Sequence, residues 1–158
     1  MGLEKEKLMK REEHTLAEHR RAAGAIGENL VADFFPFAHK TDDWYDRVKD
    51  GFIGNLRYEV KTLRLNKKYQ GFWIAENQFQ KLDNVDVLII VNIPETADEQ
   101  AILYLFNNHK NENSYYQFKY NAKSMRNYKL INCIALCIIN KETSKELYEH
   151  SKKMRTYE

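Results

Sequence analysis

Two carboxylates and a lysine hold the most suggestive spacing in this 158-residue chain: Asp50, eight intervening residues, then Glu59-Val60-Lys61. Gly54-Asn55 lies midway between them and suits a two-residue hairpin turn with glycine in its first central position. That turn predicts a hairpin over Asp50 to Thr62 in which Ile53 pairs with Leu56, Phe52 with Arg57, Gly51 with Tyr58 and Asp50 with Glu59. Side chains alternate along strands, so Gly51, Ile53, Leu56, Tyr58 and Val60 would face a core. Asp50, Phe52, Arg57, Glu59 and Lys61 would face the other way. Facing carboxylates would have Cβ atoms about 5 Å apart, where like charges destabilise a strand pair. A divalent cation offsets that repulsion. Magnesium takes one or two protein carboxylates and leaves its remaining positions to water and phosphate, and Lys61 on the same face could orient a water or stabilise charge on a phosphate. Asp46 competes for the aspartate role, and Asp42 and Asp43 compete more weakly. Asp46 would sit about 13 Å further along an extended chain than the residue opposite Glu59.

This pattern resembles the signature of the PD-(D/E)XK nuclease superfamily, which includes restriction enzymes, junction resolvases and phage or repair nucleases. Gly27-Glu28 on the preceding helical stretch is similar to the helical glutamate that many members supply as a further metal ligand, and Asn77-Gln78-Phe79 lies where some members place a glutamine that contacts the site. The match covers roughly Ala22 to Ile93, with Lys49 standing where many members have proline. The resemblance implies a Mg2+- or Mn2+-dependent DNA endonuclease that hydrolyses phosphodiester bonds. Its catalytic residues would be Asp50, Glu59, Lys61, Glu28 and Gln78, with Asp50, Glu59, Glu28 and Val60 as the metal set. It further implies a restriction-endonuclease-like α/β core, αβββαβ, in which helices flank a central mixed sheet.

The elements needed to position these residues are legible in part. Leu3 to Phe35 holds strong helix formers without proline, and Ala23, Ile26, Leu30, Val31 and Phe34 recur at helical spacing, which predicts one long helix or two, stopped by Pro36. Glu28 would share a helix face with Gly24, Val31, Ala32 and Phe35, and a carboxylate bordering an apolar face needs a partner. Phe72-Trp73-Ile74 leads into a short helical pattern from Ala75 to Leu82. The run Val85 to Val91, unbroken except at Asp86, suits a strand covered on both faces. Joining it to the hairpin through a helix predicts a right-handed crossover and a parallel neighbour. Ala101 to Phe106 and Ile131 to Ile139 read as further strands, the second carrying Cys133 and Cys137 as reduced core residues, and Lys141 to Tyr157 reads as an exposed helix with Leu147 and Met154 on a thin stripe. One domain is expected, divided into a charged helical extension (1–21), a catalytic core (22–93) and C-terminal strands and helix (94–158).

With 43% apolar and 13% aromatic residues the chain has the means to build a core. A net charge of only +2 means that any attraction to nucleic acid must be local. Candidate phosphate contacts are Arg64, Lys67 and Lys68 after the hairpin. Lys119, Lys123 and Arg126, near Tyr115-Tyr116-Gln117-Phe118-Lys119-Tyr120, are others, although alternating aromatics there suit an ordinary edge strand equally well. The five histidines lack metal-ligand spacing, and neither a phosphate-binding glycine loop nor a serine elbow is present, which argues against zinc, nucleotide and acyl-transfer chemistry. No apolar stretch has membrane-spanning length and no leader pattern opens the chain, so a cytoplasmic protein with DNA as partner and no membrane is expected. Cutting both strands of a duplex at one place would suggest a homodimer, and the charged helix Leu3 to Arg21 could supply that contact or a DNA-gripping arm. The rival reading is a nuclease-like fold used as a non-catalytic nucleic-acid- or protein-binding module.

Overall fold

The computed structural model describes residues 18–33, 38–40, 51–75, 78, 82, 85–108, 114–117 and 124–156. Asp50 lies outside them, as do Asp42, Asp43, Asp46, Lys119, Lys123, Pro36 and the chain before residue 18. The described elements are helix α1 (18–33), strands β1 (Ala38–Lys40), β2 (Gly51–Ile53), β3 (Leu56–Leu63), β4 (Gly71–Ala75), β5 (Val87–Asn92), β6 (Ile102–Asn107), β7 (Ser114–Gln117), β8 (Ser124–Lys129) and β9 (Ala135–Ile138), and helix α2 (Lys141–Thr156). A six-stranded mixed sheet has the order β1-β2-β3-β5-β6-β9, and a second sheet has the order β4-β8-β7.

The hairpin forms in the expected register, with Gly51 opposite Tyr58, Phe52 opposite Arg57 and Ile53 opposite Leu56. Gly54 takes φ +60° while Asn55 does not have positive φ, the pattern of a type II′ turn. Leu56 departs from expectation: next to the turn it is half exposed instead of in the core. The parallel neighbour is also found, since β5 runs beside β3 with Glu59 opposite Leu88 and Lys61 opposite Ile90. Leu88, Ile89, Ile90 and Val91 are fully buried, as an unalternating run requires when both faces are covered.

What covers the two faces differs from the expected helical layers. Tyr58, Val60, Ile89, Val91 and Leu103 pack with Ala23, Leu30 and Val31 of α1 and Leu147 of α2, so both described long helices bear on one face. On the other, Leu88, Ile90, Tyr104 and Phe106 pack with Phe72, Ile74 and Tyr128 of the second sheet and with Leu82. Phe72-Trp73-Ile74 is therefore a strand that leaves the main sheet, and the connection from β3 to β5 passes through it before the helical residue Gln78. Asn108 ties the layers together. Its amide donates to the Leu82 and Val85 carbonyls at 2.8 and 2.9 Å, and its oxygen accepts from the Tyr128 hydroxyl at 3.0 Å. Neither β1 nor β8 was anticipated from the sequence, whereas the edge-strand reading of the tyrosine segment holds for β7, which borders the second sheet.

The stretch from Ile131 to Ile139 is not one strand. Leu130–Asn132 forms a 3-10 turn, β9 begins only at Ala135, and Cys133 falls outside it. Both cysteines are free and half-buried, Cys137 against the helix-side core and Cys133 against the core between the sheets. β9 is an edge strand of the main sheet, and Leu136 and Ile138 on it are exposed.

Helix α1 lies close to the sheet because Gly27 has no side chain. A Cβ there would stand 2.5 Å from Thr62 Oγ1 and 3.5 Å from Val60 and Val91. Helix propensity alone favours alanine over glycine by about 1 kcal/mol, but overpacking costs roughly 1–3 kcal/mol. Gly27→Ala should thus lower stability in denaturant titration, and adding Thr62→Ala should recover part of the loss. A gain in stability from Gly27→Ala alone would contradict this packing.

Candidate functional site

Residues of odd number on β3 face away from α1. Glu59 and Lys61 therefore project together, with Lys61 Nζ 3.5 Å from Glu59 Oε1. Glu59 is only 9% exposed, unusual for a carboxylate, and its neighbour ammonium offsets some of the cost of burying it. Arg57 on the same face is engaged elsewhere: Asp86 Oδ2 accepts from its backbone N–H at 2.8 Å and from its Nε at 3.2 Å, fastening the start of β5 to β3 at the far end from Lys61. Asp86, the polar break in the apolar run, is accounted for by this contact.

Around the C-terminal end of β3 lies a cleft of about 550 Å³. Lys61, Arg64 and Gln78 line it, joined by Arg20, Ala23 and Gly24 of α1. Two sequence-predicted catalytic residues, Lys61 and Gln78, and one predicted phosphate contact, Arg64, thus share one space. Arg64 is held in place by α2, where its Nε and Nη2 donate to Ser151 Oγ at 3.2 and 3.0 Å and Nη2 donates to the Ser151 carbonyl at 3.2 Å. Among the described residues the lining carries three cations and no acid. Sequence reasoning missed Arg20. Its position three, four and seven residues before Ala23, Gly24 and Gly27 puts it on the sheet-facing stripe of α1, and that signal was available.

Val60 also lines the cleft, whereas among the described residues Glu28, Lys67, Lys68 and Arg126 do not. Glu28, half-buried, is on α1, which packs on the even-numbered face of β3, opposite the face that bears Glu59 and Lys61. Among the described residues no three His, Cys, Asp or Glu side chains form a metal-sized group. The Val60 side chain is buried in the helix-side core, leaving only its backbone to serve a ligand. Lys67 is ion-paired to Glu95 at 2.9 Å, which raises its pKa, and Lys68 lies over the Tyr69 ring at 5.5 Å. Arg126 belongs to β8, opposite Ile74 and Tyr115, in the second sheet.

Folding also joins two histidines 131 positions apart in the chain. His19 Nδ1 and His150 Nδ1 are 3.0 Å apart across α1 and α2, so one nitrogen donates and the other must be unprotonated to accept. Burial first, then the charge of His19, lowers the His150 pKa below its ordinary value. Its native state therefore takes up a proton at lower pH than the unfolded chain does, and stability should be full above about pH 6.5 and fall as pH drops through the lowered His150 pKa. Thermal melts from pH 8 to 5 should show this loss, and His150→Asn should flatten the profile over that interval. An unchanged slope in the variant would disconnect the pair from acid sensitivity.

No family model, curated protein or solved structure matches the chain.

Proposed function

We propose that the chain is a metal-dependent DNA endonuclease whose site is built on Glu59 and Lys61 and opens into the cleft at the end of β3. The observation that carries the reading is the near-buried Glu59 carboxylate 3.5 Å from Lys61, one strand step from a cation-lined cleft that suits a phosphate backbone. The αβββαβ order of a restriction-endonuclease-like core is compatible with the sequence of α1, β1, β2, β3, the helical Gln78 and β5, with β4 as an excursion into the second sheet.

A hard carboxylate such as that of Glu59 fits magnesium, which needs only one or two of them. Asp50, which directly precedes Gly51, is the second acid of the proposal. Bound magnesium would supply Lewis-acid neutralisation of charge developing on the phosphate. Lys61 would donate to a phosphate oxygen or orient the attacking water, and its pairing with Glu59 limits its conformations before substrate arrives. Arg64, clamped by Ser151, and Arg20 would take flanking phosphates as charge-assisted donors. Gln78 would contact the substrate near Lys61.

A binding module without cleavage is the second reading, favoured by a described cleft lining that is cationic and free of acids. Plasmid, linear, branched and single-stranded DNA incubated with Mg2+ or Mn2+ distinguishes the two. Metal-dependent cutting that falls at least about 100-fold in both Glu59→Ala and Lys61→Ala, with folding retained, is expected. Binding without cutting, identical in wild type and variants, would leave the module. Separately, Arg64→Ala and Arg20→Ala should each weaken DNA binding and reduce the salt-dependence slope by about one, as loss of one phosphate contact requires. Unchanged slopes would remove the cleft from the nucleic-acid path.

A further inference from the structure

At the edge of the main sheet farthest from the hairpin, β9 is hydrogen-bonded to β6 on one side and has no described strand on the other. Soluble proteins protect such edges with lysine, proline or a bulge. Here the eleven residues from Leu130 to Asn140 contain no charged side chain and no proline, in a chain that is 30% charged. Ile131, Ile134, Leu136 and Ile138 are exposed by 88, 59, 53 and 62%. Leu136 and Ile138, two apart on the strand, share the face opposite Cys137, which packs into the helix-side core. Contiguous exposed apolar surface of this kind marks a contact with another protein.

The sequence of the edge indicates which protein. From Asn132 to Asn140 it reads Asn-Cys-Ile-Ala-Leu-Cys-Ile-Ile-Asn, in which the even-numbered positions, Asn132, Ile134, Leu136, Ile138 and Asn140, are the same in either direction about Leu136. An antiparallel pairing with an identical strand, centred on Leu136, would set Leu136 against itself and Ile134 against Ile138 of the second copy, all on one face. A two-fold axis requires such self-complementarity. Absence of charge removes like-charge repulsion between copies and offers nothing to a strongly ionic partner.

We propose that β9 is the surface through which two copies of this chain pair, joining their main sheets edge to edge. The proposal does not depend on the nuclease reading and is tested without any activity. Four apolar side chains and a short backbone ladder make a small contact, so the dissociation constant should be on the order of micromolar. Sedimentation of the full chain across a wide concentration range should show monomer passing to dimer. Leu136→Lys sets two ammonium groups against each other on the axis and should weaken the dimer at least about 100-fold, with the circular-dichroism melt preserved because the side chain is already half exposed. Ile134→Lys should weaken it as well, and adding Ile138→Glu in the same chain should restore it. In the proposed register each new lysine meets a glutamate of the other copy, whereas within one strand the two positions lie about 13 Å apart. A chain that is monomeric throughout, or a dimer indifferent to Leu136→Lys, would overturn the proposal.

Discussion

Strands β3 and β5 lie side by side and run in the same direction, and a parallel pair cannot be closed by a turn. The chain must leave the end of β3, cross the sheet and re-enter beside its own start. Most of the architecture follows from that excursion. The chain lays down β4 on the far face, passes through Gln78 and Leu82, and delivers the apolar run of β5 between β3 and β6 with both faces covered. The departure point is also where the two faces of β3 meet at an open end, and a cleft forms there between the first turns of α1 and the crossover.

The cleft inherits its charge from separate sources. Lys61 comes from the strand, Arg20 from the first helix, and Arg64 from the residue that follows β3 and is clasped by the last helix. No two of these cations adjoin in sequence, which is how a chain of net charge +2 can still present a concentrated positive patch. Glu59 stands one strand step further in, nearly buried and paired with Lys61, so negative and positive functions are stacked along one face of one strand. Helix α2 contributes to this end twice, through Ser151 to Arg64 and through His150 to His19. The C-terminal third is therefore part of the scaffold of the cleft and not an appendage to it.

The opposite edge of the sheet has a different character. There β9 completes the ladder with β6 but carries no charge, and its Leu136 and Ile138 are left exposed. One molecule thus presents a polar, cationic end at β3 and an apolar edge at β9, which allows contacts at the two places without competition between them.

Local rules read correctly where a feature depends on neighbours in the chain. Gly54-Asn55 determined the turn type and hence the register of Glu59 and Lys61, the unalternating apolar residues after Asp86 determined a strand buried on both faces, and the spacing of Ala23, Leu30 and Val31 determined the packed stripe of α1. Those signals are periodicities and turn preferences, set by backbone geometry within a few residues. Which element covers which face is a different kind of fact. Phe72-Trp73-Ile74 could have begun a helix or joined the main sheet, and only its packing against Leu88, Ile90 and Tyr128 made it part of a second sheet. Glu28 looked like a partner for Glu59 in sequence, yet Gly27 brings α1 down on the face that Glu59 does not use. The meeting of His19 with His150, of Arg64 with Ser151, and the exposure of the Ile134 to Ile138 edge were likewise decided by the tertiary structure alone, because each depends on distances between segments far apart in the chain, to which periodicity is blind.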